Sequence, residues 1–148
     1  MKIGIANDHG GVIHKEKIKK YLKSKGHEIV NFGTDSKERV DYPEYAFKLC
    51  KALKDDEIEL GIAICKSGIG MSISCNKVRG IRCAKINSIE DAKSAKEHNN
   101  VNVLAIGADM NMIDIKDMLD VFFKSSFLTD EVYQNRIDMI SEYEAMRK

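Results

Sequence analysis

The chain has 148 residues, of which 43% are hydrophobic and 32% charged, and its formal net charge is +1. That composition suits one globular domain over 1–148, able to bury its own core, and it excludes a disordered chain. A balance so near neutral gives no electrostatic case for nucleic acid or an anionic membrane as the main partner. No apolar run approaches the roughly 20 residues that span a bilayer. The opening Met1-Lys2-Ile3-Gly4-Ile5-Ala6 is interrupted by Asn7-Asp8-His9 too soon for a signal peptide, so the expected location is the cytoplasm.

Residues 2–6 predict a first strand, and Asp8-His9-Gly10-Gly11 follows it directly. A carboxylate beside an imidazole at a strand's end can orient a substrate hydroxyl and bind an anion. Equally, Asp8 can cap the next helix and His9 can be an ordinary loop residue. A helix is predicted over 12–25. Its stretch from Lys15 to Lys20 reads as a solvated face, and His14 and His27 read as surface residues. A strand at 28–32 follows, then a helix over 43–54 in which Pro43 suits the first turn and Tyr45, Ala46, Leu49, Cys50 and Leu53 form an apolar stripe.

The next segment is the most informative. A third strand at 60–64 delivers Cys65, Lys66 and Ser67 to the turn Gly68-Ile69-Gly70, and a helix is predicted over 69–77. Strand, turn and helix in that order leave backbone N–H groups free at the helix start, which favours anions. The same positive helix end favours a thiolate, the useful base or nucleophile. Gly68-Ile69-Gly70 is half of a dinucleotide fingerprint, but it follows the third strand rather than the first, and Ile73 stands where the third glycine is expected. The loop therefore reads as a cradle for an oxyanion or a phosphate and not for NAD.

A fourth strand is predicted at 81–85 and a helix at 89–98, introduced by the capping-box pattern Ser88-x-x-Asp91 and closed by His98-Asn99-Asn100. On position alone, complementing the helix dipole is favoured for His98 over a functional role. A fifth strand at 102–106 and a helix at 112–124, with the stripe Ile115, Met118, Leu119, Phe122 and Phe123, complete the alternation. After a break at 125–130 a last helix is predicted over 131–146. Its stripes Val132/Met139/Tyr143/Met146 and Tyr133/Ile137/Ile140 lie about 100° apart on a helical wheel. So broad an apolar face predicts docking on a second copy, most simply as a homodimer.

Strict β-α alternation predicts a Rossmann-like three-layer αβα sandwich: a five-stranded parallel sheet covered on both faces, with ligands bound at the carboxyl ends of its strands. Asp8-His9, Cys65-Lys66-Ser67 and Gly107 all fall there. The four cysteines show no C-x-x-C spacing and no paired His, which argues against zinc. Cys50, Cys75 and Cys83 read as small buried hydrophobes, whereas Cys65 is set apart by its turn.

Taken together, Asp8-His9, Asp41-Tyr42-Pro43, Cys65-x-Ser67-Gly68-Ile69-Gly70-Met71-Ser72, Asn76-Lys77, Gly80-Ile81-Arg82 and His98-Asn99 make the chain resemble ribose-5-phosphate isomerase type B and the related galactose-6-phosphate isomerase subunits, from residue 1 to about residue 140. The resemblance implies an aldose–ketose isomerase of phosphorylated sugars, with ribose 5-phosphate and ribulose 5-phosphate as the default pair and with no metal or organic cofactor. It implies that Cys65 is the base moving a proton between C1 and C2, that Ser67 shuttles protons at the substrate oxygens, and that Gly68, Ile69, Gly70 and Met71 contribute the N–H groups around the enediolate oxygen. His98 then corresponds to the group that opens the sugar ring, and Asp8, His9, Tyr42 and Asn99 to substrate contacts. The resemblance further implies a homodimer or tetramer with sites between subunits.

The match departs from the family at three places. Lys66 stands where glycine is usual. Asp109 and Val132 stand where phosphate-binding arginines are expected, leaving Arg136 of that set with His9 as helper; Arg39, Arg79, Arg82 and Lys85 are candidate replacements. The missing arginines favour, as an alternative, an isomerase of a tetrose or hexose phosphate; a non-catalytic phosphosugar-binding regulatory domain is a further alternative, against which the joint presence of Cys65, Ser67 and His98 argues.

Overall fold

Residue size alternates sharply along the central strands, and that alternation dictates the layering. A computed structural model describes residues 1–147. In chain order it contains β1 (Lys2–Asn7), α1 (Val12–Ser24), β2 (Glu28–Asn31), α2 (Tyr42–Lys54), β3 (Leu60–Cys65), α3 (Ile69–Asn76), β4 (Cys83–Lys85), α4 (Ile89–Glu97), β5 (Val103–Gly107), α5 (Met112–Lys124) and α6 (Glu131–Ala145). A single 3-10 turn, His9–Gly11, leads into α1. Every predicted element is present, with ends displaced by one or two residues. The fourth strand starts late because Ile81 N–H closes a turn onto Val78 and Arg82 N–H is taken by the Asn102 side chain.

The five strands are all parallel, in the order β2-β1-β3-β5-β4. Ile3, Ile5, Ile62, Ile64, Leu104 and Ile106 point to one face, where α1, α4 and α5 pack through Ile18, Leu22, Ala92, Ala95, Ile115 and Leu119. The other face carries Ala6, Ala63, Cys65 and Ala105 and receives α2 and α3 through Leu49, Cys50, Met71 and Cys75. Small residues let α2 come close: a side chain at Gly4 would meet Ile58 and Leu49 at 2.5 and 2.8 Å. Large residues on one face and small ones on the other thus fix which helix layer is near and which is far. No described helix is long and apolar enough to cross a membrane.

Capping follows the sequence with one displacement. Ser88 Oγ accepts from Asp91 N–H at 3.0 Å, but the Asp91 carboxylate accepts from Asn87 N–H rather than from the cap residue itself.

The Lys15–Lys20 stretch corrects the expectation of a solvated face. Lys15 falls in line with Ile18 and Leu22 on the inner stripe of α1 and is wholly buried. Its ammonium donates to the Thr34 carbonyl at 2.6 Å and to Asp35 Oδ1 at 2.5 Å, and that contact holds the Asp35 carboxyl below the ordinary carboxylate range. His14 and His27 are also partly buried rather than surface residues. His14 Nε2 bonds Met110 O at 2.8 Å, while His27 stacks on Phe123 and burial lowers its pKa.

Because Thr34 O keeps a second donor in Asn7 Nδ2 and Asp35 is open to water, the Lys15 stem matters more to stability than its charge. In urea denaturation, Lys15→Met is expected to cost about 1 kcal/mol and Lys15→Ala, which leaves a cavity, about 3 kcal/mol.

Candidate active site

Strand order reverses between β1 and β3: from β1 the chain steps outward to β2, and from β3 it steps the other way. The loops leaving these two neighbours separate there and open a crevice at their carboxyl ends. Asp8 follows β1 and Cys65 ends β3, so both stand at that switch point.

The turn after β3 is built around Gly68, whose φ of +79° is left-handed; a Cβ there would meet the Ile106 and Gly107 backbone at 3.0 and 3.1 Å. Only glycine meets both demands without strain. The turn brings Gly68 N–H to 3.2 Å from Cys65 Sγ and Ile69 N–H to 3.2 Å from Ser67 Oγ. Ser72 N–H bonds Gly68 O, which leaves the N–H groups of Gly70 and Met71 without a partner among the described residues. Two free amides at a helix start, directly beside a thiol and a hydroxyl, form a place for developing negative charge.

Around this turn lies an open cleft of about 410 Å³ lined by Asp8, Tyr42, Cys65, Lys66, Ser67, Ile69, Gly70 and Ile73. Cys65 is 5% exposed and lines the cleft, while the strand behind it is buried. The Tyr42 ring closes one wall by lying against Gly70, where a Cβ would approach Tyr42 Cζ to 2.5 Å. Asp8 Oδ1 accepts from Gly10 N–H at 2.9 Å as a cap, and the residue also lines the cleft. His9 Nδ1 accepts from Val40 N–H at 3.2 Å, so in the neutral ring the proton is on Nε2, which is free to donate. Met71 is wholly buried in the core and does not line the cleft.

The structure does not bring the remaining expected residues to this cleft. α4 runs back from the carboxyl edge of the sheet to the amino edge, and His98 is its C-cap, just before β5 begins. Within one chain His98 and Asn99 are therefore separated from Cys65 by the length of a strand, roughly 15–20 Å. Arg136 is exposed on α6, whose first turn stacks Tyr133 on His98 and whose last turn bonds Gly80 through Glu144.

Three of the candidate replacements for the missing arginines are engaged elsewhere. Arg82 donates to the carbonyls of Asn99 and Asn100, Arg79 to Arg147 O, and Lys85 to Asn87 Oδ1; Arg39 is exposed in the loop before α2. Asp109 follows β5 with its N–H on Lys66 O, and its carboxylate folds back against Gly107 beside the Ser67 carbonyl. Sequence reasoning missed the latch formed by Asn7 and Lys15 on Thr34, which holds the loop leading to Tyr42.

A parallel α/β sheet with a cysteine, a hydroxyl and free amides at its switch point is an arrangement suited to small anionic ligands. Residues 3–140 match the family described as Ribose/Galactose Isomerase. The chain is 34% identical over 146 residues to ribose-5-phosphate isomerase B of Escherichia coli (strain K12), covering 99% of this chain and 98% of that one. It is 37% identical over 143 residues to galactose-6-phosphate isomerase subunit LacB of Clostridium acetobutylicum, covering 96% and 83%. The solved structure of Clostridium thermocellum ribose-5-phosphate isomerase B superposes with a TM-score of 0.94 over 98% of each chain, at 40% identity. The chain belongs to the ribose/galactose isomerase family and is a sugar-phosphate aldose–ketose isomerase.

Gly68→Ala forces a left-handed residue against neighbouring backbone and is expected to lower stability by about 2 kcal/mol in urea denaturation. Gly70→Ala, whose Cβ meets only the Tyr42 ring, should cost about 1 kcal/mol or less while moving Tyr42 out of the cleft wall.

Proposed function

We propose that the chain interconverts ribose 5-phosphate and ribulose 5-phosphate through an enediolate, with Cys65 as the base. The observation carrying this reading is that Cys65, Ser67 and Gly70 line one cleft, with the N–H groups of Gly70 and Met71 unpaired at the helix start beside it.

With an aldose bound open-chain, the Cys65 thiolate takes the proton on C2. The electron pair moves into a C1–C2 double bond, and charge collects on O1. The Gly70 and Met71 amides are in place before that charge appears; removing one donor of this kind typically costs about 3–4 kcal/mol. Ser67 passes a proton between O1 and O2, and the thiol returns its proton to C1, giving the ketose. Asp8, Tyr42 and His9 Nε2 orient the hydroxyls and the distal end of the sugar.

The ring-opening group in this reading is His98, with Asn99 beside it. Both stand at the other edge of the sheet, which supports a site completed by a second copy of the chain. The exposed apolar face of α6, with Val132 55%, Met139 67% and Tyr143 68% exposed, supports a homodimer through that helix. Arg136, on the same helix, is then a phosphate contact.

A second reading has a specific observation behind it. Asp109 presents a carboxylate beside the turn, which disfavours a phosphate dianion at that point. A tetrose or hexose phosphate, whose phosphate reaches a different depth, escapes that repulsion.

A turnover panel of tetrose, pentose and hexose phosphates separates the two: the pentose is expected to give the highest kcat/KM, and a tenfold preference for another length would replace it. Cys65→Ala is expected to abolish solvent-deuterium incorporation at C2 of the aldose while ligand binding stays within about threefold of the parent. Equal exchange by the variant would remove Cys65 as the base.

A further inference from the structure

The turn carrying His98 and Asn99 is held by more of the molecule than a helix end needs. A helix C-terminus is ordinarily satisfied by its own backbone and by water. Here Arg82 spans the turn: Nε donates to Asn99 O at 3.0 Å and a terminal nitrogen donates to Asn100 O at 2.7 Å. Asn100 lies in the left-handed region at φ +41°, and Lys96 Nζ bonds its side chain at 3.1 Å. Arg82 is itself fixed, since its N–H donates to Asn102 Oδ1 at 2.8 Å and its carbonyl accepts from Asn102 N–H at 3.0 Å.

From the other side, Leu128 N–H bonds Glu97 O at 2.9 Å and leads the chain into α6. There the Tyr133 ring stacks on His98 with centroids 4.6 Å apart and planes 5° from parallel. Backbone and ring are thus each held by a separate residue. An imidazole that exchanges protons with a substrate needs such rigidity.

We infer that Arg82 and Tyr133 are positioning residues for sugar-ring opening: Arg82 sets the backbone of the His98–Asn99 turn and Tyr133 sets the plane of the His98 ring. The inference rests on the isomerase reading given above and on His98 as its ring-opening group. In that step the C1–O4 bond of the furanose breaks and the C1 carbonyl forms. The proton leaving the C1 hydroxyl passes through the imidazole and ends on O4. A lysine at 82 does not reproduce this grip, because the guanidinium reaches the Asn99 and Asn100 carbonyls from two nitrogens held in one rigid plane, whereas an ammonium on a flexible stem sets neither carbonyl's direction.

Ring opening can be read apart from proton abstraction. Ribulose 5-phosphate cannot close a furanose, since its O5 is esterified, so deuterium exchange at its C1 needs the Cys65 machinery and no ring opening. In Arg82→Met, kcat/KM for ribose 5-phosphate is expected to fall about 30- to 100-fold, and in Tyr133→Leu about tenfold. C1 exchange on ribulose 5-phosphate should fall less than about threefold in both, and Arg82→Lys should stay within about threefold of Arg82→Met. Equal losses in turnover and exchange, unchanged turnover, or full rescue by lysine would overturn the inference. Should Arg82→Met fail to fold, Tyr133→Leu and Arg82→Lys carry the same test. A parent enzyme that neither turns over nor exchanges the pentose pair overturns the inference together with the reading beneath it, a result separate from any variant's behaviour.

Discussion

The left-handed turn at Gly68 is the constraint on which the rest of the site depends. Backbone passes so close to backbone there that neither Gly68 nor Gly107 has room for a Cβ. The Ala108 and Asp109 amides bond the Cys65 and Lys66 carbonyls, so the ends of β3 and β5 are tied together across the same turn. One glycine conformation thereby aims the thiol at the cleft, gives it a backbone donor, and starts α3 with two amides unspent. The arrangement is electrostatic before any ligand arrives, and a site so prepared needs no reorganisation when charge develops.

The parallel sheet imposes the second constraint. Helices that return the chain to the next parallel strand must end at the amino edge, so residues closing α4 cannot reach the carboxyl edge of their own sheet. A histidine there either serves its own helix or serves another copy. The apolar residues that α6 leaves uncovered, and the lattice of bonds from Arg82, Lys96 and Leu128 that stiffens the turn, both favour the second possibility. On the reading proposed here, activity and association are one property.

The fold was legible because its signals are periodic and local. Apolar runs bounded by turn residues gave the strands, and Pro43, Ser88 and Gly68 marked starts and turns on which the helices begin. The cleft was legible to the extent that it lies on one loop: Cys65, Ser67 and Gly68–Met71 are consecutive. Lys15 was missed because its neighbours in sequence are solvated lysines, although its spacing to Ile18 and Leu22 marks the inner face. The engagement of Arg82 by Asn99 and Asn100 was illegible, since nothing in a sequence tells whether an arginine faces a carbonyl or a ligand. The inward fold of the Asp109 carboxylate was likewise set by tertiary contact with Gly107.

The most direct measurement is complementation between two inactive chains. Co-expressed Cys65→Ala and His98→Ala chains, purified together through different tags, form mixed dimers in which one site of the two takes an intact cysteine from one chain and an intact histidine from the other. With random pairing, the unsorted population is expected to regain about one quarter of parental turnover, and the isolated mixed dimer about half. Either variant alone should remain inactive. Mixed dimers as inactive as the separate variants would contradict a site shared between copies.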